Sequence, residues 1–463
     1  MRLCLRMCMC LCRRWKIMKL DDLLAKIGIN RGSKMFHQRN TDSPTRMHLR
    51  REKKGNGLLL VNATMIFHLN KTATDFVAMI IDGKSDEDII REMKRKYRVA
   101  ENQLKADLKE LRSSINRLIK EPDIDPVQQL SQDISPLIET HFSAPLRMDL
   151  ALTYRCNNKC TKCYVENYRN VDEFSTEEWK KALDVLWEIG IPHVTFTGGE
   201  PTIRDDLPEL VEYAEDLGII TGIISNGRKF KDKKLVDKLV KAGIDHFQIT
   251  LESHDASVHD ELCGVKGSWK ETVEGIKNIV PTPVFIMTNT TITPYNIKDI
   301  EKTVEFLHSL GIEKFATNSI IKSGGGKSED MALTVEELDE ALTKIITKAN
   351  ELGMQFVWYS PTRYCDFNPI ERGLGMKQCT AAHIAMAIEP DGEVIPCQSY
   401  FETLGNILTT RWRKIWNHKT AKKLRNMKYL PEECLDCPER ELCGGGCPLN
   451  YNPPMNVCKS SYS

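Results

Sequence analysis

Leu152-Thr-Tyr-Arg-Cys156-Asn-Asn-Lys-Cys160-Thr-Lys-Cys163-Tyr164 is the stretch whose reading decides the fold. It grows out of an apolar run, Met148 to Tyr154, that reads as a buried β-strand, and it sets three thiols at a C-x3-C-x2-C spacing. Cubane iron–sulfur clusters are held by thiolates from closely spaced cysteines. Three ligands on one short loop leave the fourth iron open. An open position is what a metal site keeps when it binds a substrate or cofactor instead of bracing a fold. The alternative is a zinc loop lacking its fourth ligand.

Further along comes Val194-Thr-Phe-Thr-Gly198-Gly199-Glu200-Pro201, an apolar strand ending in two glycines and a carboxylate. Glycines let backbone amides approach a ligand, and the glutamate can meet a cation such as an ammonium group. Alone this is only a turn. Together with the cysteine loop it resembles the radical S-adenosylmethionine (radical SAM) enzymes. The resemblance implies that Cys156, Cys160 and Cys163 hold a 4Fe-4S cluster whose open iron is chelated by the methionine end of S-adenosylmethionine, with Gly198, Gly199 and Glu200 around its amino group. It also implies reductive cleavage to a 5′-deoxyadenosyl radical that abstracts hydrogen from a substrate. The protein's part is to position these groups and to exclude water and oxygen.

A length of 463 residues suggests about three domains. With 65 basic against 64 acidic residues, net charge gives no global case for nucleic-acid binding. No apolar run approaches the ~20 residues of a membrane span. Sixteen cysteines in a chain of this size, without a signal-peptide pattern, read as metal ligands in a reducing cytoplasm.

Residues 1–54 are expected to be a poorly ordered extension. Cys4, Cys8, Cys10 and Cys12 crowd its start, and Met18 or Met47 is a possible true first residue. Residues 55–121 form a first domain: a hairpin of Leu58 to Val61 and Thr64 to Leu69 joined by Asn62-Ala63, then helices capped by Asn70 and Ser85, and a third helix carrying Leu104, Leu108, Leu111, Ile115 and Leu118. This is winged-helix-like. It also resembles the small peptide-chaperone domain of pyrroloquinoline quinone biosynthesis (PqqD-like), which implies recruitment of a leader peptide as an added strand. A DNA-binding winged helix is the rival reading, although acidic residues interrupt any basic face. Residues 122–144, with Pro122, Pro126 and Pro136, read as a linker.

Between 145 and 358, strands at 148–154, 193–197, 219–224, 244–251, 284–291 and 312–318 alternate with helices at 175–189, 205–217, 232–242, 268–279 and 296–310. Such alternation is α/β with a parallel sheet, and the resemblance specifies a partial (β/α)6 TIM-type barrel with its chemistry at the carboxyl ends of the strands. The cysteine loop, Gly-Gly-Glu, Ser225-Asn226-Gly227, Glu252 and Asn289 all fall at such ends. Cofactor contacts are accordingly expected from Gly198, Gly199, Glu200, Ser225, Thr250, Glu252, Asn289 and Tyr164. Lys162 stands where relatives have an aromatic residue, and Cys263 where they have a cation, so the partner of the cofactor carboxylate stays open. His254 and His259 read as loop-structuring.

Residues 359–463 carry Cys365, Cys379, Cys397, Cys434, Cys437, Cys443, Cys447 and Cys458. The pattern C-x2-C-x5-C-x3-C after C-x12-G-x4-C resembles the SPASM domain, a C-terminal extension of radical SAM enzymes; two structural zincs are the alternative. The resemblance implies two auxiliary 4Fe-4S clusters, one on Cys379, Cys397, Cys447 and Cys365, the other on Cys434, Cys437, Cys443 and Cys458, for three in all. Gly392 would turn a hairpin, and Gly444-Gly445-Gly446 would bring amides to sulfur.

The expected function is a radical SAM oxidoreductase that installs a thioether or carbon–carbon cross-link in a ribosomally made peptide. Expected partners are that peptide with its leader and a low-potential electron donor such as ferredoxin or flavodoxin, with neither nucleic acid nor membrane. Gln398 follows Cys397 where sulfatase-maturing relatives have aspartate. A small-molecule or metallocofactor substrate is the second reading; an iron–sulfur redox-sensing DNA-binding regulator is the third.

Overall fold

The structure, a computed structural model, describes residues 36–39, 46–52, 55–61, 65–120, 142–165 and 171–451. The Asn62-Ala63 turn, most of the linker, the four N-terminal cysteines and Cys458 lie outside them.

The extension is not wholly without a fold. Strands β1 (Phe36–Arg39) and β2 (Arg46–Arg51) join β3 (Gly57–Val61) and β4 (Met65–Leu69) in one antiparallel sheet of order β1-β2-β3-β4. The boundary expected at residue 55 therefore cuts through a sheet. The reason is that β2 is anchored on both faces. Met47 and Leu49 enter the core of the first domain, while Arg46, His48 and Arg50 alternate with them and reach the barrel. Arg50 Nη1 donates to the carbonyls of Pro145 (2.9 Å) and Gly190 (3.2 Å), and its Nε pairs with Glu52 (2.7 Å). His48 Nε2 bonds Gly218 O at 2.8 Å, and Arg46 pairs with Glu215 (2.5 Å) and Asp245 (3.2 Å). Gly190 and Gly218 are the left-handed C-caps of two barrel helices, α4 (Thr176–Ile189) and α5 (Leu207–Leu217). Carbonyls at helix C-termini lack intrahelical donors and favour cations. Strand β3 is buried on both sides too: Leu59 and Val61 face the first domain's core, Leu58 and Leu60 the barrel's.

Helices α1 (Lys71–Ile81), α2 (Asp86–Lys96) and α3 (Glu101–Lys120) complete this domain. Asn70 accepts from the Ala73 amide and Ser85 from the Asp88 amide, as N-caps do.

Barrel strands β5 (Arg147–Thr153), β6 (His193–Gly198), β7 (Ile220–Ser225), β8 (His246–Thr250), β9 (Phe285–Thr291) and β10 (Lys314–Asn318) are parallel neighbours in sequence order. A seventh parallel strand, β11 (Gln355–Trp358), extends one end. At the other end β12 (Ala385–Ile388) pairs parallel to β5, followed by antiparallel β13 (Glu393–Ile395) and β14 (Gly405–Asn406). The sheet therefore runs β11 through β5 to β14 without closing. Helices α4, α5 and α6 (Lys233–Lys241) follow β5, β6 and β7. Between β5 and β10, one α-helix was not anticipated: α7 (Ala256–Cys263), capped by Asp255, which precedes α8 (Ser268–Ile279). Gly392 turns the β12–β13 hairpin as expected, with φ +85°.

Among the described residues, no helix is long and apolar enough to cross a membrane.

Candidate active site

The cysteine loop leaves β5 and is braced on three sides. From β6, the Gly199 amide donates to Thr153 O (2.7 Å) and the Glu200 amide to Arg155 O (3.0 Å). A Cβ on Gly199 would stand 2.3 Å from Arg155 O, and one on Gly198, whose φ is +139°, would stand 2.2 Å from Thr153 O. These glycines, expected to admit a ligand, instead let two backbones touch, and two of the amides are consumed within the protein. From the loop after β7, Asn226 Nδ2 bonds Asn157 Oδ1 (2.7 Å) and stands 3.9 Å from Cys156 Sγ, while Arg228 donates to Asn157 O and Asn158 Oδ1. From the Gly324-Gly325-Gly326 run, the Gly325 amide reaches Cys163 O at 2.8 Å. Neither Arg228 nor this glycine run was read as functional, although the run itself was visible in the sequence.

Glu200 is fully buried. Its Oε1 accepts from Ser225 Oγ (2.8 Å), Thr202 Oγ1 (2.6 Å) and the Thr202 amide (3.1 Å), and its Oε2 from the Asn226 amide (2.8 Å). Burial nevertheless pushes the carboxyl above its ordinary value, against the pull of those donors. Oε2 takes one donor among the described residues, so it is the oxygen open to a further one. Thr250 pairs with Asn289 in register across β8 and β9. Asn289 Nδ2 donates to Asn318 Oδ1 (2.8 Å), and its own Oδ1 is buried without a donor among the described residues. An orphaned buried acceptor at the carboxyl end of a barrel strand suits a bound polar ligand.

Glu252 does not face an open site. It forms a buried ion pair with Lys162, and its Oε2 accepts from the Thr291 amide (3.2 Å). Lys162, in the position where an aromatic residue was expected, thus brings a charge to the cysteine loop and finds its counter-ion there. Tyr164 turns toward the C-terminal domain, donating to Gln398 Oε1 at 2.7 Å.

Cysteines of that domain fall into two groups. Cys379, Cys397 and Cys447 interact electrostatically with one another, as do Cys434, Cys437 and Cys443. The Gly445 amide donates to Cys443 Sγ (3.3 Å), in line with the role expected of the glycine run. Cys365 was expected with the first group. The amide of Tyr364, the residue before it, bonds Cys443 Sγ (3.3 Å) in the second group.

The thiols fit iron–sulfur ligation. All ten others among the described residues are free. Burial pushes Cys156 and Cys397 up to about 12 and raises Cys163, Cys379, Cys434, Cys443 and Cys447. Such thiols are inert unless a metal's positive charge draws off their protons. Cys160 is the exception: its hydrogen bond with Cys263 holds it below the ordinary value despite burial. In the C-terminal domain, two residues before Cys379, Lys377 Nζ is buried without a partner among the described residues, a donor suited to an anionic group such as a thiolate-bound cluster.

The matches with known families and structures agree with this geometry. Residues 150–307 match the radical SAM superfamily, and residues 379–438 the SPASM iron-sulfur cluster-binding domain. The chain is 29% identical over 322 residues to the PqqA peptide cyclase of Bradyrhizobium diazoefficiens, spanning 66% of this chain and 82% of that protein. With the PqqA peptide cyclase of Xanthomonas campestris pv. campestris the identity is 28%, over 65% and 82%. Streptococcus suis SuiB bound to precursor peptide SuiA superposes with a TM-score of 0.65 at 19% identity, covering 92% of this chain and 99% of that one. The fold and the three-cysteine loop define a radical SAM enzyme, dependent on S-adenosylmethionine and iron–sulfur clusters. Its C-terminal match adds a SPASM domain to that core.

Proposed function

We propose that this enzyme forms a cross-link, thioether or carbon–carbon, within a ribosomally made peptide. The observation that carries this reading is the physical joining of its two cysteine fields. The loop of Cys156, Cys160 and Cys163 ends in Tyr164, whose hydroxyl meets Gln398 beside Cys397. A substrate at the carboxyl ends of the strands would therefore lie between a site that generates a radical and one that can take up an electron. The peptide assignment is supported by the names of the PqqA peptide cyclase relatives.

Cys156, Cys160 and Cys163 would hold the first 4Fe-4S cluster, and the two C-terminal cysteine groups would hold two more. Bound there, the first cluster and S-adenosylmethionine supply a primary carbon radical that abstracts a hydrogen atom. The chain's own residues set the stage. Glu200 Oε2 would meet the cofactor's ammonium, Asn289 Oδ1 would accept from a cofactor hydroxyl, and Ser225 holds Glu200 in place. The first domain would act as a PqqD-like module, since β4 is an edge strand onto which a leader peptide can add. A cytoplasmic ferredoxin or flavodoxin would supply electrons.

The test is anaerobic. Purified protein should contain about twelve irons, at four per cubane, and should release 5′-deoxyadenosine when dithionite is added. A peptide encoded beside its gene should lose a pair of hydrogens. Zinc in place of iron, or failure to cleave S-adenosylmethionine, would end this reading; cleavage with every neighbouring peptide left untouched would favour a small-molecule substrate.

A further inference from the structure

We propose that the basic face built by residues 411–428 is the docking surface for a small one-electron carrier protein of acidic surface, which passes its electron to the C-terminal cysteine field. This rests on the cluster assignment above and adds to it the place where the electron donor binds.

Residues 411–428 hold eight Lys or Arg and no Asp or Glu, in a chain of net charge +1. Two short helices, Trp412–Trp416 and Lys419–Arg425, carry most of them. The apolar side of these helices is fixed to the fold: Ile415, Ala421 and Leu424 enter the main core. Trp412 and Trp416 stack with ring centroids 6.0 Å apart, and their indole nitrogens donate to the carbonyls of Ser143 and Phe142 (3.1 Å each). Arg425 lies over the Trp416 ring (4.1 Å) and donates to Ala382 O (2.6 Å), so it is engaged within the protein. The other seven cations are exposed.

Elsewhere on the surface, helix lysines have acidic neighbours. Lys344 pairs with Glu340, Lys348 with Glu305 and Glu351, and Lys302 with Asp299. Arg411, Arg413, Lys414, Lys419, Lys422 and Lys423 have no ion pair among the described residues. Lys419, Lys422 and Lys423 stand at i, i+3 and i+4, the spacing that shares one helix face. An unpaired patch of one sign projects a field that draws in a partner of the other.

Location decides the kind of partner. Past Arg425 the chain reaches Tyr429, whose hydroxyl donates to the carbonyl of Gly444, the residue after Cys443 (2.7 Å). Gln378, the residue before Cys379, stands 3.9 Å from Met427 Sδ and donates to Glu441 O (3.0 Å). The basic face thus ends against neighbours of both cysteine groups. Beyond it the sign changes: Glu432, Glu433, Asp436, Glu439 and Glu441 interleave with Cys434 and the exposed Cys437. An acidic carrier is therefore repelled from the most exposed thiols and held on the basic face beside them. Such a carrier gains from that position because an electron crosses only short gaps. The transfer oxidises the carrier by one electron, reduces one cluster by one, and forms or breaks no bond.

The experiment is anaerobic stopped-flow reduction of the cluster-loaded full chain by a pre-reduced [2Fe–2S] ferredoxin of strongly negative net charge. Reduced methyl viologen, a small cation, serves as the comparison donor. One variant combines Lys419→Gln, Lys422→Gln and Lys423→Gln. The other combines Lys233→Gln, Lys234→Gln and Lys238→Gln, removing the same charge from the exposed side of α6. The first should lose about tenfold in bimolecular rate with ferredoxin at low salt, from three unit charges each acting through water at roughly 8 Å. Its rate should also depend less steeply on salt. The α6 variant with ferredoxin, and both variants with methyl viologen, should match the parent. Equal slowing of the two variants, or no slowing of the first, overturns the docking surface and leaves the cluster assignment standing. An unchanged ferredoxin rate, with loss of binding to a polyglutamate peptide or to duplex DNA in the first variant alone, overturns the carrier and gives the surface to that partner. A parent protein holding zinc in place of clusters overturns both.

Discussion

Replacing Gly199 with alanine separates two accounts of the Gly-Gly-Glu stretch. If the glycine makes room for S-adenosylmethionine, an added methyl should weaken cofactor binding and leave the cluster loop alone. The structure points the other way. The new Cβ would lie 2.3 Å from Arg155 O and 2.6 Å from Tyr154 O, both of them backbone atoms leading into Cys156. Neither can rotate aside, and the Gly199 and Glu200 amides that fix the two segments together would be pulled off Thr153 O and Arg155 O. Overpacking of this kind costs about 1–3 kcal/mol. Because each ~1.4 kcal/mol is a factor of ten, affinity for the first cluster should fall roughly 5- to 150-fold. Competition with an iron chelator under anaerobic conditions, read from the S-adenosylmethionine-responsive EPR signal, measures this directly. Unchanged cluster retention with weaker cofactor binding would refute the reasoning.

Two further outcomes concern the rest of the frame. Arg50→Ala leaves the Glu52 carboxylate without its buried cation and the carbonyls of Pro145 and Gly190 without a donor; removing one partner of such a pair costs about 3–5 kcal/mol. The first domain should become protease-sensitive while the cluster content of the barrel holds. His246, buried on the floor of the barrel, has its imidazole pushed down to about 4, by burial first and then by Arg147. A depressed value contributes stability above the ordinary histidine range, lost as pH falls from about 6.5 toward 4, on the order of 3 kcal/mol. The urea midpoint should decline over that window, and His246→Asn should flatten the decline; an identical slope in the variant would count against it.

The barrel was legible because its signals are local. Apolar runs alternate with capped amphipathic segments, so β5 to β10 and their helices fall within a few residues of expectation. What escaped the sequence depends on partners remote in the chain. Arg46, His48 and Arg50 look like a solvated basic run until helix ends some 140 to 170 residues away are seen to receive them. Gly198 and Gly199 suggested ligand access because the carbonyls they meet belong to another strand. Helix α7 was obscured because His259 read as loop-structuring, though Asp255 accepts from the Ser257 and Val258 amides as an N-cap. The cysteines were found by their spacing, and their grouping by the resemblance that spacing carries. Spacing could not say that the Tyr364 amide, next to Cys365, bonds Cys443 Sγ.

The pairing of β12 with β5 bears on how such enzymes can be recombined. Because the C-terminal cysteine field prolongs the barrel's own sheet, and Tyr154 and Tyr164 bond across to Glu389 and Gln398, it cannot be exchanged as an interchangeable cassette. A chimera joined in the segment after β11 would sever a strand from its neighbour. One joined ahead of β5 would transplant both cysteine fields with their separation intact, leaving only the N-terminal domain to be varied.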